Sequence, residues 1–104
     1  SGLPTDRFTF TGFLPRKSTK RGKELRQLAE LGHTLVIFES PYRLLKTLQD
    51  MAEIMGDRPV VVCRELTKKF EEILRGTPAE LLKSLSDRTI KGEITLIVAG
   101  KVKG

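Results

Sequence analysis

The chain has 104 residues, 38% of them hydrophobic, which suits one compact domain with a single core. No stretch approaches the roughly 20 apolar residues of a membrane span, and the N-terminus lacks a signal-peptide pattern, so we expect no membrane association. Cys63 is the only cysteine, which excludes an intrachain disulfide framework and fits a cytoplasmic location.

Positive charge is concentrated near the N-terminus. The net charge of +6 favours a polyanionic partner such as nucleic acid, although a basic domain without such a partner has the same composition. Between residues 16 and 26 there are six basic residues and a single acid, Glu24. The basic residues are Arg16, Lys17, Lys20, Arg21, Lys23 and Arg26.

The chain begins with a strand pattern followed by a helix pattern. Residues 8–11 alternate Phe with Thr, which predicts a short strand that stops at Gly12. Ser18 or Thr19 is placed to cap a helix that reaches residue 31 and ends at Gly32.

The next segment again predicts a strand followed by a helix. Residues 34–38 form a short run rich in β-formers, which predicts a buried strand. Ser40 and Pro41 have the residue types of an N-cap and first helical position. Apolar residues at 44, 45, 48, 51, 52 and 55 then predict a helix that ends at Gly56, with this stripe in the core.

The last segments complete an alternating pattern. Residues 59–63 and 70–74 are predicted strands, residues 77–80 resemble a capping box that opens a short helix through Leu85, and residues 93–99 are predicted to form the last strand. The predicted fold class is therefore α/β, with helices packed on a mixed sheet of about five strands. We expect the five Phe residues to belong to the core.

Several site types are absent from the sequence. One His and one Cys cannot form a zinc site of the usual Cys/His spacing, and neither common glycine-rich phosphate loop is present. We expect His33 to lie in a solvated turn. Polar residues follow two predicted strands, and ligands bind α/β sheets beyond the carboxyl ends of strands. Glu39, Arg43, Arg64 and Glu65 are therefore expected to meet at one edge, unless Glu39 and Arg43 only form a local ion pair.

Four segments resemble one known family. They are SGLPTDRF at 1–8 with GFLP at 12–15, then ESPYRL at 39–44, RELTK at 64–68 and KGE at 91–93. In order and spacing they resemble the ribosomal RNA small subunit methyltransferase I family of the tetrapyrrole methylase superfamily. Together they cover nearly the whole chain.

The resemblance implies a two-domain enzyme that binds S-adenosylmethionine between its domains. Residues 1–104 would form the single C-terminal α/β domain, and the N-terminal domain with the cofactor loops would be missing, so this chain alone is expected to be inactive. The implied reaction is 2′-O-methylation of a cytidine ribose in small-subunit ribosomal RNA by a homodimer. Cofactor contacts are implied at Phe38, Glu39, Val61, Glu93 and Ile94.

The catalytic and RNA-binding residues follow from this resemblance and from the charge pattern. Glu65 or Glu39 is the candidate base for the ribose hydroxyl, with Arg64 beside it. The candidate contacts to RNA phosphates are Arg16, Lys17, Lys20 and Arg21. Two alternatives stay open: a methylase of corrin or porphyrin precursors, and a basic RNA-binding module without catalysis.

Overall fold

The computed structural model describes residues 8–67 and 70–100, which form five strands and three helices. In chain order they are β1 Phe8–Phe13, α1 Ser18–Leu31, β2 Thr34–Glu39, α2 Leu44–Met55, β3 Val60–Thr67, β4 Phe70–Gly76, α3 Pro78–Leu85 and β5 Glu93–Val98. The predicted α/β fold class and order of elements are confirmed. None of the helices in these residues has the length and apolar character needed to cross a bilayer.

The sheet is mixed, and its strand order is β1-β2-β5-β3-β4. β1 and β2 are parallel, as the crossover through α1 requires. β5 is antiparallel to both β2 and β3, so β2 and β3 run in the same direction on either side of it. Their carboxyl ends therefore meet at one edge, where Glu39 and Arg64 are both paired with Ile94.

The core lies between the helices and one face of the sheet. Leu35 and Ile37 of β2 are fully buried, whereas Val36 and Phe38 between them are only partly buried, because alternate side chains point to opposite faces. α2 lies beside α1 and α3 in one layer. Its apolar stripe packs into the core as predicted, with Leu48 and Met51 fully buried. The helices thus cover one face, and the other face is open.

Of the three helices described, one begins at the side-chain cap that the sequence predicted. The predicted capping box of α3 is confirmed, because the Thr77 amide donates to the Glu80 carboxylate and the Glu80 amide donates to the Thr77 hydroxyl. The other two helix starts were predicted wrongly. α1 begins after Lys17 with no side-chain cap, and α2 begins only at Leu44.

The aromatic residues of β1 do not belong to the core, which corrects the expectation for Phe. Phe8, Phe10 and Phe13 are 58%, 57% and 64% exposed. The pairing register shifts between Phe10 and Gly12, and Gly12 has φ 70, so an extra residue enters β1. Phe13 thereby contacts Phe38 on the open face, as Phe10 does, at ring centroid distances of 5.8 and 5.0 Å.

Candidate active site

A groove runs along the edge where β2 ends and β5 begins. It has a volume of about 430 Å³, and its walls come from the ends of β1 and β2, the turn after β2, and the start of β5. The lining residues are Phe13, Phe38, Glu39, Ser40, Pro41, Gly92, Glu93 and Ile94. Four of the five predicted cofactor contacts, Phe38, Glu39, Glu93 and Ile94, are thus together at one site.

Val61, the fifth predicted cofactor contact, lies elsewhere. It is paired with Ile97 and lines a separate hollow on the open face together with Cys63 and Ile73. Arg64, which is paired with the groove residue Ile94, comes three residues later in β3, or about 10 Å along the strand. Val61 is therefore not part of this groove.

The Glu39 carboxylate is buried and holds the turn that follows β2. One oxygen accepts hydrogen bonds from the Ser40 amide at 2.7 Å and from Arg43 Nε at 3.3 Å. The other oxygen accepts a hydrogen bond from the Thr47 hydroxyl at 2.6 Å. Glu39 is only 4% exposed, so these donors supply the solvation that the carboxylate loses on burial. The geometry gives Glu39 a positioning role and leaves little access for a substrate proton.

Arg64 and Glu65 do not act as a pair, although they are adjacent in sequence. β3 continues to Thr67, so both residues lie within a strand and point to opposite faces of the sheet. Arg64 is 8% exposed and donates to Glu72 of β4 at 2.7 Å. Arg88, which follows α3, donates to the same Glu72 oxygen at 2.7 Å. Arg64 Nε has no hydrogen-bond partner within the described part of the chain.

Glu72 is the acceptor that joins these two arginines. The hydrogen bond from Arg88, helped by the charge and hydrogen bond of Arg64, holds the pKa of the Glu72 carboxyl below its ordinary value. Sequence reasoning missed Glu72 because only the β3–β4 register, which pairs Arg64 with Glu72, brings them together. The four charged residues expected at this edge do not form one cluster. Glu39 pairs with Arg43, Arg64 pairs with Glu72, and Glu65 lies on the opposite face of the sheet from Arg64.

Glu65 lies in a row of acidic residues on the open face. It is paired with Glu71 of β4 and with Glu93 of β5, and all three are exposed. Burial, and then the charge of Glu71, raise the pKa of the neighbouring Cys63 thiol. Because Glu93 also lines the groove, the row extends from the groove across three strands. Glu65 therefore has solvent access, unlike Glu39, and lies next to the exposed groove residue Glu93.

The basic segment divides into exposed and buried residues. Arg16, Lys17 and Lys20 are exposed at the start of α1. Arg21 is only 3% exposed, because its Nε donates to Asp50 of α2 at 2.7 Å and its Nη1 donates to the Arg16 carbonyl at 3.1 Å. Arg21 joins the two helices and is not available to a phosphate, which corrects its assignment to the RNA-binding set.

His33 differs from the expectation of a solvated turn, and Tyr42 is an exposed aromatic residue that the sequence analysis did not single out. His33 is half-buried, and its Nε2 is hydrogen-bonded to the Thr9 hydroxyl of β1. Tyr42 is 93% exposed in the turn next to the groove. Its position could have drawn attention to it, since it is the chain's single tyrosine and lies between Pro41 and the start of the apolar stripe of α2. In the four segments that carry the family resemblance, residues 1–7 and 68 lie outside the part of the chain that the structure describes.

Comparisons with known proteins identify similar sequences. The family model for tetrapyrrole (corrin/porphyrin) methylases matches residues 2–82. A protein of Halalkalibacterium halodurans called ribosomal RNA small subunit methyltransferase I is 51% identical over 100 residues, covering 96% of this chain and 35% of that protein. Its namesake in Bacillus subtilis is 45% identical, with 96% and 34% coverage. The chain thus spans about a third of the length of these relatives.

Solved structures share the fold. A cobalt precorrin-4 methyltransferase superimposes with a TM-score of 0.63 at 21% identity, covering 86% of this chain and 39% of that enzyme. A uroporphyrin-III C-methyl transferase from Thermus thermophilus, in complex with S-adenyl homocysteine, superimposes with a TM-score of 0.61 at 15% identity, with 95% and 43% coverage. At these identities the likeness shows the fold alone.

Proposed function

Because the chain belongs to the tetrapyrrole (corrin/porphyrin) methylase family, we propose that it is the C-terminal domain of an S-adenosylmethionine-dependent methyltransferase that modifies small-subunit ribosomal RNA. The observation that carries this proposal is the groove, which brings together four residues that the family resemblance assigns to the cofactor. The relatives' shared name supports RNA as the substrate.

The groove suits one side of a nucleoside-containing cofactor. Apolar walls for an adenine ring come from Phe13, Phe38 and Pro41. The last residues of β2 and the first residues of β5 provide backbone groups for the edge of the ring. The Glu93 carboxylate at the rim suits ribose hydroxyls. S-adenosylmethionine would supply a methyl group on a sulfonium sulfur. The remaining walls would come from the domain that the longer relatives have room for, so this chain alone should not transfer methyl groups.

Methylation of a cytidine 2′-hydroxyl needs a group that takes the hydroxyl proton as the oxygen accepts the methyl group. Positioning supplies much of the rate in such a transfer, and a carboxylate base adds to it. Glu65 is the proposed base because it is exposed on the acidic row that leads to Glu93. Glu39 is proposed to hold the turn, and Arg64 to hold β3 against β4 through Glu72.

The exposed end of α1 is the proposed contact for RNA phosphates. Arg16, Lys17 and Lys20 are exposed there and Arg21 is not, so three of the four predicted residues remain in this role. In the cell, the full-length protein is proposed to act in the cytoplasm as a homodimer, as the family resemblance implies.

The test is methyl transfer by the full-length protein. Tritiated S-adenosylmethionine should label undermethylated small ribosomal subunits, and the label should be found on a cytidine ribose.

The variant in which Arg16, Lys17 and Lys20 are all replaced by Ala should bind the subunit more weakly. Each lost phosphate contact should flatten the slope of log Kd against log salt concentration by about 0.7 to 0.9. Arg75→Ala, which removes one exposed arginine from β4, shows the effect of losing one positive charge outside the basic segment and should leave the slope nearly unchanged. Labelling of a tetrapyrrole precursor in place of RNA would support the first alternative, and RNA binding without transfer by the full-length protein would support the second.

A further inference from the structure

Tyr42 leaves a large aromatic surface in water. Its side chain is 93% exposed, more than any other large hydrophobic residue in the described part of the chain. A ring this exposed does not gain the favourable free energy that burial provides, since no residue in the described part of the chain covers it. A ligand that covers the ring would recover that free energy.

The backbone that carries Tyr42 is held firmly despite this exposure. The Tyr42 amide donates to the Ser40 hydroxyl at 3.2 Å, and the Arg43 amide donates to the Ser40 carbonyl at 3.0 Å. The buried Glu39 carboxylate holds both ends of the turn, through Ser40 and Arg43. Because the backbone is already ordered, a ligand that binds the ring does not pay to order the turn.

The turn also places Tyr42 at the rim of the groove. Its neighbours Ser40 and Pro41 line the groove, and the 64% exposed ring of Phe13 lines it from β1. The Tyr42 ring is therefore available to a nucleotide that binds beside the groove.

We infer that Tyr42 stacks on an unpaired base of the RNA substrate and so positions the target nucleotide beside the groove. This inference rests on the proposed function and deepens it. Proteins recognise RNA sequence mainly in single-stranded loops, whose unstacked bases lie on aromatic side chains. A base inside a duplex has no free face to offer, so Tyr42 selects unpaired RNA, and the basic end of α1 binds the phosphates of either form.

Tyrosine fluorescence provides a direct readout. Tyr42 is the only tyrosine and the chain has no tryptophan, so the tyrosine emission of the 104-residue chain comes from this ring alone. A short single-stranded RNA should quench it at concentrations where the RNA binds, as measured by anisotropy of a labelled RNA. The same sequence as a duplex, or inorganic polyphosphate, should bind the basic segment with little quenching.

Variants separate stacking from general RNA affinity. Tyr42→Ala should weaken single-stranded RNA binding by roughly 5- to 150-fold, the range found when one stacking aromatic is removed, and duplex binding should hardly change. Tyr42→Phe should restore the affinity, since the ring is kept. Phe8→Ala is the matched control, because Phe8 is an exposed aromatic residue at the opposite end of β1 and should have no effect.

The outcomes distinguish this inference from the proposed function. Single-stranded RNA binding without quenching, or equal losses for Phe8→Ala and Tyr42→Ala, would overturn the stacking role and leave RNA methylation intact. Failure of the chain to bind any RNA would also overturn it, whereas the proposed function is decided separately by methyl transfer in the full-length protein.

Discussion

Replacing Glu65 with Gln should raise the stability of the domain while removing catalysis. Glu65 is paired directly with Glu71 and Glu93, and directly opposed like charges destabilise a sheet. At a separation of about 6 Å, each pair costs about 0.7 kcal/mol in unscreened water. Screening at 0.15 M salt reduces this to about 0.3 kcal/mol for each pair, so removing the middle charge should stabilise the domain by about 0.6 kcal/mol.

Thermal unfolding of the 104-residue chain tests the stability half of this prediction. The Tm should rise by about 2–5 °C at 0.15 M salt, and most of the gain should vanish near 1 M salt, where the screening length is about 3 Å. Glu53→Gln is the control, since Glu53 is an exposed carboxylate on α2 outside the acidic row. A Tm that falls by several degrees would refute the reasoning, because it would mean that Glu65 makes a stabilising contact.

Methyl transfer tests the catalytic half. In the full-length protein, Glu65→Gln should reduce turnover by at least about 100-fold, as expected when a general base is lost. Because the predicted stability change is positive, a loss of turnover could not be attributed to unfolding. Near-normal turnover would remove Glu65 from the mechanism.

Three further predictions concern the ion pairs. Arg21→Ala should destabilise the domain by about 3 kcal/mol, because it leaves Asp50 without the partner that joins α1 to α2. Urea unfolding should show this loss as a lower midpoint concentration, and an unchanged midpoint would contradict it. Glu39→Gln should cost about 2–4 kcal/mol, because the neutral side chain no longer pairs with Arg43 and its amide nitrogen replaces one of the two oxygens that accept hydrogen bonds. Tm measurements against Glu53→Gln would detect this loss. The pKa of Glu72 is lower in the folded than in the unfolded chain, so ionised Glu72 stabilises the fold. This stabilisation is complete above the ordinary pKa of 4.5 and is lost as the pH falls through the lowered folded pKa. Glu72→Gln should therefore make acid unfolding less steep, and an unchanged pH profile would contradict this.

The sequence by itself determined the order of elements and several of their details. Alternation of Phe and Thr identified β1, short apolar runs rich in β-formers identified the buried strands, and spacing of three or four residues identified the buried stripe of α2. The capping box of Thr77 and Glu80 was also readable, because its two hydrogen bonds join residues three positions apart. The strands, the buried stripe of α2 and the capping box depend on residues only a few positions apart, so the order of residues alone is enough to predict them.

Only the tertiary structure decided which charged and aromatic residues are available at the site. Insertion of β5 between β2 and β3 brings Glu39 and Arg64 to either side of Ile94, and the β3–β4 register pairs Arg64 with Glu72 in place of Glu65. Packing of α1 on α2 buries Arg21, which composition could not distinguish from its exposed neighbours. These outcomes depend on strand register and helix packing between residues distant in sequence, and a change of one residue in register moves a side chain to the opposite face of the sheet.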